Sequence, residues 1–161
     1  MAINTDLVSF YPLVSGTDAI GVYPLTAANG AAFSGTATLP NFNSSIYAAT
    51  QIPLGGGDFS LSFWFKDLKS RASAAANFMV FGAYSNGGAA GAFGGSVAKY
   101  PIVIYTNDEL GVWDGSFQST GVQVTQASTG ASWHLMNAVY DSTANTMTLY
   151  MDGSQVGSPI S

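Results

Sequence analysis

Apolar and polar residues alternate with period two over much of this chain, most plainly near its C-terminal end. Between Trp133 and Tyr140, the residues Trp133, Leu135, Asn137 and Val139 share one side, and His134, Met136, Ala138 and Tyr140 share the other. Between Thr146 and Met151, the residues Met147, Leu149 and Met151 oppose Thr146, Thr148 and Tyr150. Successive side chains of a strand point to opposite faces, so both runs are predicted as strands. Asp141-Ser-Thr-Ala-Asn145 between them is turn chemistry, because Asp and Asn side chains bond local backbone and tolerate left-handed φ. Asp152-Gly153 ends the second strand with another turn signal. The segment predicts a β-hairpin with one buried apolar face.

The same period recurs upstream. In Phe59-Ser-Leu-Ser-Phe-Trp-Phe-Lys66, the residues Phe59, Leu61, Phe63 and Phe65 share a face opposite Ser60, Ser62, Trp64 and Lys66. This is the strongest strand signal in the chain. Asp6–Leu13 alternates up to Pro12, which suits a strand end because proline cannot donate to a ladder. Residues 14–35 predict a wandering connection with one or two short strands, and Ser45–Ile52 predicts a strand. Asp67–Asn77 carries no apolar stripe at helical spacing and reads as a loop. Phe78–Phe81 reads as a strand, and Gly82–Gly95, nearly all Gly, Ala and Ser, as a long loop. Val97–Tyr105, Leu110–Trp113 and Phe117–Gln126 read as further strands, with turns at Thr106–Glu109 and Asp114-Gly115. Short strands, glycine-rich turns and no helical pattern predict an all-β sandwich or barrel, built as a single domain over residues 1–161.

Composition narrows the class. Charged residues are 8% of the chain and the net charge is −5. Disorder does not follow from that low charge, because 47% hydrophobic residues supply ample surface to bury. No apolar run reaches the roughly 18 residues of a membrane helix, so no membrane insertion is expected. The basic residues Lys66, Lys69, Arg71 and Lys99 are too few to track phosphates, so no nucleic acid is expected as a partner. With no cysteine there is neither a disulfide framework nor a thiolate metal site. Met1–Asp6 lacks the basic and apolar segments of a signal peptide, so synthesis in the cytoplasm without export by that route is expected.

Three stretches resemble a known family. Phe59–Lys66 is similar to the "F-t-i-s-f-W-v-k" strand of concanavalin A-like, laminin G-like (pentraxin-like) jelly rolls. Trp133-His-Leu…Val-Tyr-Asp141…Leu149-Tyr-Met-Asp-Gly153 resembles their "W-h-h-v…v-t-y-d…l-y-v-D-G" hairpin, and Asp6–Leu13 resembles their opening "g-l-v-a-y-w-p-l" strand. The resemblance implies an antiparallel jelly-roll β-sandwich over about Leu7–Val156. Past the Asp-Gly turn the family continues with an "i-G-g" strand and then a closing strand. Neither is evident before Ser161, so an edge beside the hairpin is expected to stay open or to be filled by another chain.

The fold hosts many functions, so function must be argued from residues. A glycosidase needs two carboxylates flanking the bond. Glu109 is the only glutamate, beside Asp108 in a turn, and no strand carries acid-x-acid spacing, so no enzyme and no catalytic residues are expected. His134, the only histidine, sits at the "W-h-h" position, where a packed or hydrogen-bonded strand residue is expected; Trp133 is read likewise as packing. No cofactor is expected. Calcium, bound by some relatives, stays open without a ligand set, since Asp114, Asp141 and Asp152 read as turn residues. Glycan recognition would use exposed aromatic faces and Asn or Asp on loops. Its candidates are Tyr84, Asn86, Phe93, Asn107, Trp113 and Asp114. The leading expectation is a structural or adhesive virion module, a bacteriophage capsid-decoration or tail-fibre protein. It would assemble with other virion subunits as a homo-oligomer. The alternative is a carbohydrate-binding module recognising a cell-surface glycan.

Overall fold

A computed structural model describes residues 11–21, 23–38, 45–48, 57–66, 78–81, 99–105, 108–124 and 132–161, and every regular element among them is a β-strand. The chain divides into two compact units, Met1–Pro53 and Leu54–Ser161. In the first, β1 (Leu25–Ala28), β2 (Ala32–Phe33), β3 (Ala37–Thr38) and β4 (Ser45–Ala48) form two small antiparallel pairs, β1 with β4 and β2 with β3. Its loop is ordered by Asp18, a buried carboxylate. Oδ1 accepts the amides of Ile20 (3.1 Å) and Gly21 (3.0 Å), and Oδ2 accepts that of Tyr23 (3.4 Å). A buried charge is tolerable only with such partners.

The second unit holds β5 (Phe59–Phe65), β6 (Phe78–Phe81), β7 (Lys99–Ile104), β8 (Glu109–Asp114) and β9 (Phe117–Gln123), then β10 (His134–Asp141), β11 (Thr146–Met151) and β12 (Ser154–Ile160). They form two four-stranded antiparallel sheets, ordered β12-β11-β10-β5 and β6-β7-β8-β9. The predicted hairpin is β10 and β11, in register from Met136 opposite Met151 to Asp141 opposite Thr146. Asp141 Oδ1 accepts the amides of Thr143 and Ala144, both at 2.9 Å, and Asn145 is left-handed (φ 52°), as the turn residues predict. At the next turn Asp152 and Gly153 both have positive φ (51° and 81°), which a type I′ hairpin requires.

The two sheets share one core. Phe65, Met136, Ala138, Tyr140, Met147, Leu149 and Val156 come from the first sheet; Ile102, Ile104, Leu110 and Val112 come from the second, with Val124 just past β9. Phe59, Leu61 and Phe63 pack against this cluster, so β5 turns its phenylalanine face inward as its period requires. Each such large side chain contributes about 1.5–3 kcal/mol if fully buried.

The first of the two strands expected to be missing after the Asp-Gly turn is present as β12, so the hairpin is not left as an edge. Its signal is faint because Gly157 and Pro159 look like breakers, and its only aliphatic side chains are Val156 and Ile160, opposite Leu149 and Met147. Between those two pairs β12 bulges, and Gly157 is left-handed (φ 68°). β9 bulges at a matching place: its register on β8 shifts between Leu110 and Gly111, and Gly121 is left-handed (φ 75°). The bulges face each other across the seam between the sheets. A Cβ on Gly157 would lie 2.6 Å from the carbonyl oxygen of Thr120.

Other expectations sort by position. The Phe117–Gln126 strand ends at Gln123, and the Ser45–Ile52 strand is described for residues 45–48. Residues 6–10, the 67–77 segment and the 82–95 loop lie outside the described residues, and residues 11–13 form no strand.

Candidate functional site

Of the six residues expected to meet a glycan, Tyr84, Asn86, Phe93 and Asn107 lie outside the described residues. Trp113 and Asp114 close β8, where Trp113 is half-buried and pairs with Phe117 of β9. Partners in such a register share a face, and around Trp113 that face is aromatic. Phe117 stacks on Tyr105 with ring centroids 4.3 Å apart and planes 10° apart. The stack needs glycine beneath it, because a Cβ on Gly111 would lie 2.7 Å from the Phe117 ring and 2.1 Å from the Gln118 carbonyl oxygen. Tyr105, Trp113 and Phe117 all stand outside the core cluster that Leu110 and Val112 join from the same sheet. Trp113 is therefore rim rather than core.

The first sheet presents a different outer face. Trp64 is 61% exposed and Trp133 48% exposed. Trp133 is thus not the packing residue its motif suggested. It shares the side of Leu135, Asn137 and Val139, which faces away from Met136, Ala138 and Tyr140. Lys66 Nζ sits 5.7 Å from the centre of the Trp133 ring, a cation–π contact. Beside the indoles runs a polar row. Ser62 opposes Asn137, Asn137 opposes Tyr150, and Tyr150 opposes Gln155, so the row crosses all four strands. The Ser62 hydroxyl donates to Asn137 Oδ1 at 2.7 Å. Sequence reasoning did not single out this face, although the alternation that buried Phe59–Phe65 had already put Ser62 and Trp64 on the other side.

His134 is held as a strand residue. Its ring lies 5.7 Å from that of Phe65, and its Nδ1 meets Asp152 Oδ2 at 2.6 Å. Asp152 Oδ1 also accepts the Leu135 amide at 2.9 Å. The His134 bond first, and the Leu135 amide next, hold the Asp152 carboxyl below its ordinary value. Asp58 is lowered in the same sense by the hydroxyl and then the amide of Ser142, at 2.6 and 2.8 Å. Both acids therefore fasten backbone. Asp108 is buried just before β8, with left-handed φ (66°), and its amide donates to the Tyr105 carbonyl at 2.9 Å. Among the described residues no three His, Asp or Glu side chains gather where they could hold a metal ion.

Paired antiparallel sheets with a shared apolar core and aromatic outer faces define a lectin-type β-sandwich. The family model of the concanavalin A-like lectin/glucanases superfamily, of laminin G type, matches residues 34–161, and the chain belongs to that family. The match takes in β12 and begins after the Asp6–Leu13 stretch. Neither the curated proteins nor the solved structures contain a match.

Proposed function

We propose that this domain is a non-enzymatic adhesive module that binds carbohydrate through aromatic side chains on an outer sheet face. The family supports a carbohydrate-binding or adhesive role. The observation that carries the reading is Trp113, half-buried beside the Tyr105–Phe117 stack on a face turned away from the core. Indole and phenol rings offer an apolar face to sugar C–H groups and a polar edge to hydroxyls. A glycan array probed with the parent chain and with Trp113→Ala tests it. Binding that disappears in the variant while its melting temperature holds supports the reading; a blank array for the parent sinks it. The non-enzymatic part has its own assay, because release of reducing ends that Glu109→Gln abolishes would make the protein a glycosidase.

A second reading sets this module in a bacteriophage virion, as part of a tail fibre or capsid decoration, assembled as a homo-oligomer. Low charge favours it: with 8% charged residues, little electrostatic repulsion separates copies. Light scattering after size exclusion tests it, and a stable folded monomer at high concentration argues against it.

A further inference from the structure

We propose that the outer face of the β12-β11-β10-β5 sheet is a second carbohydrate-contact surface, which takes an uncharged oligosaccharide laid across the strands. This rests on the reading of the domain as a carbohydrate-binding module, but it assigns a different face from the one Trp113 occupies. Three features select the occupant.

The first is the pair of indoles. Trp64, at 61%, and Trp133, at 48%, are both exposed to solvent. They stand close in the sheet, Trp64 on β5 opposite Leu135 and Trp133 one residue before β10. A flat aromatic ring in water next to hydrogen-bonding groups is the combination by which binding sites orient an amphipathic ligand.

The second is the row Ser62, Asn137, Tyr150 and Gln155. Every member is a neutral hydroxyl or amide. Adjacent strands lie about 4.8 Å apart, so the row repeats hydrogen-bonding groups over roughly 14 Å. That repeat suits a chain of pyranose rings, each bringing its own hydroxyls, better than a compact ligand. The Ser62–Asn137 bond at 2.7 Å fixes which end of the amide faces β5 before any ligand arrives. Trp64 is two residues along β5 from Ser62, about 7 Å, close enough for one sugar to stack while its neighbour meets the row.

The third is charge. The row holds no ionised group, and the chain carries a net −5, which disfavours an anionic glycan. Lys66 is engaged over Trp133. The Asp152 carboxylate, two residues from Tyr150, is taken up by His134 and the Leu135 amide. A protein partner fits less well, because the core of a protein interface is apolar, whereas here a polar row crosses the middle.

The test uses the full chain with neutral gluco-, manno- and galacto-oligosaccharides, sialylated and uronic-acid glycans for comparison, and the variants Trp64→Ala, Trp64→Phe, Asn137→Ala and Trp113→Ala. The expected result is neutral-glycan binding that barely changes with added salt and weakens roughly tenfold or more in Trp64→Ala. Trp64→Phe should retain much of it, and melting temperatures should stay near the parent's. Binding lost in Trp113→Ala but unchanged in Trp64→Ala and Asn137→Ala overturns this inference and leaves the proposed function standing. A parent chain that binds no glycan overturns both. Binding restricted to acidic glycans overturns the choice of ligand. Self-association abolished by Trp64→Ala, without glycan binding, makes the face an interface between copies and overturns the inference too.

Discussion

Gly157 is where the seam between the two sheets can be probed with a single methyl group. Gly157→Ala meets two separable penalties. Its φ of 68° lies in the left-handed region, which costs an L-residue about 1–2 kcal/mol. Its new Cβ would also lie 2.6 Å from the Thr120 carbonyl oxygen and 2.7 Å from the Thr120 Cβ. Those atoms belong to the facing bulge of β9, where Thr120 Oγ1 donates to the Leu110 carbonyl at 2.7 Å, so they have little room to withdraw. Crowding of this kind typically costs about 1–3 kcal/mol. Together the penalties come to about 2–5 kcal/mol, or roughly 4–20 °C in melting temperature for a chain of this size. Gly121→Ala is the matched control. It has a similar φ (75°) in the opposite bulge, with no atom within 4 Å of the built Cβ. Only the conformational penalty applies there, so it should lose about 1–2 kcal/mol. The gain from a stiffer unfolded chain, about 0.4–1 kcal/mol, is common to both and cancels in the comparison. Urea melts of parent and both variants, followed by tryptophan fluorescence, give the difference directly. Equal destabilisation by the two substitutions would refute the close approach of β12 to β9.

Further predictions follow from single contacts. The Asp58 and Asp152 carboxyls are lowered by hydrogen bonds made only in the folded chain, so their contribution is present above the unfolded value of about 3.9 and is lost as pH falls through the lower folded values. Urea midpoints should therefore fall on acidification below about pH 4, and less steeply in Asp58→Asn/Asp152→Asn. Tyr140→Phe removes the hydroxyl that donates to Asn145 Oδ1 at 2.9 Å and should cost about 0.5–1.5 kcal/mol in the same melts. Phe65→Ala, at a residue 7% exposed in the core, should cost about 3–5 kcal/mol. Trp64→Ala one position away should stay within about 0.5–1 kcal/mol of the parent, and equal losses would mean that β5 does not divide its faces as described.

Much of the fold could be read from alternation, because a strand between a core and an exterior must alternate. β5, β10 and β11 show this directly, and the Asp141–Asn145 turn forms by the side-chain bonds its residues suggested. β12 was hidden for a physical reason. A strand added to an existing edge needs few apolar residues, since its hydrogen bonds go to β11 and only Val156 must fill the core. The bulges are equally invisible, because Gly157 serves a contact with Thr120 of β9, a residue far away in sequence.

Alternation does not say what lies over the outer face, and this is why the candidate site was only partly legible. Trp113 is legible as an aromatic residue beside the Asp114-Gly115 turn, and it is rim, next to a stack that depends on Gly111. The "W-h-h" resemblance points Trp133 to packing. Here the inner side of β10 is already filled by Met136, Ala138 and Tyr140, so the parity of the strand leaves Trp133 outside. The same parity leaves Trp64 outside on β5. With Phe59, Leu61, Phe63 and Phe65 supplying the packing of that strand, the core makes no demand for an indole at residue 64. A large apolar ring held in water without a packing task is what a binding function would require, and the neutral row beside it is why carbohydrate is the chemistry proposed.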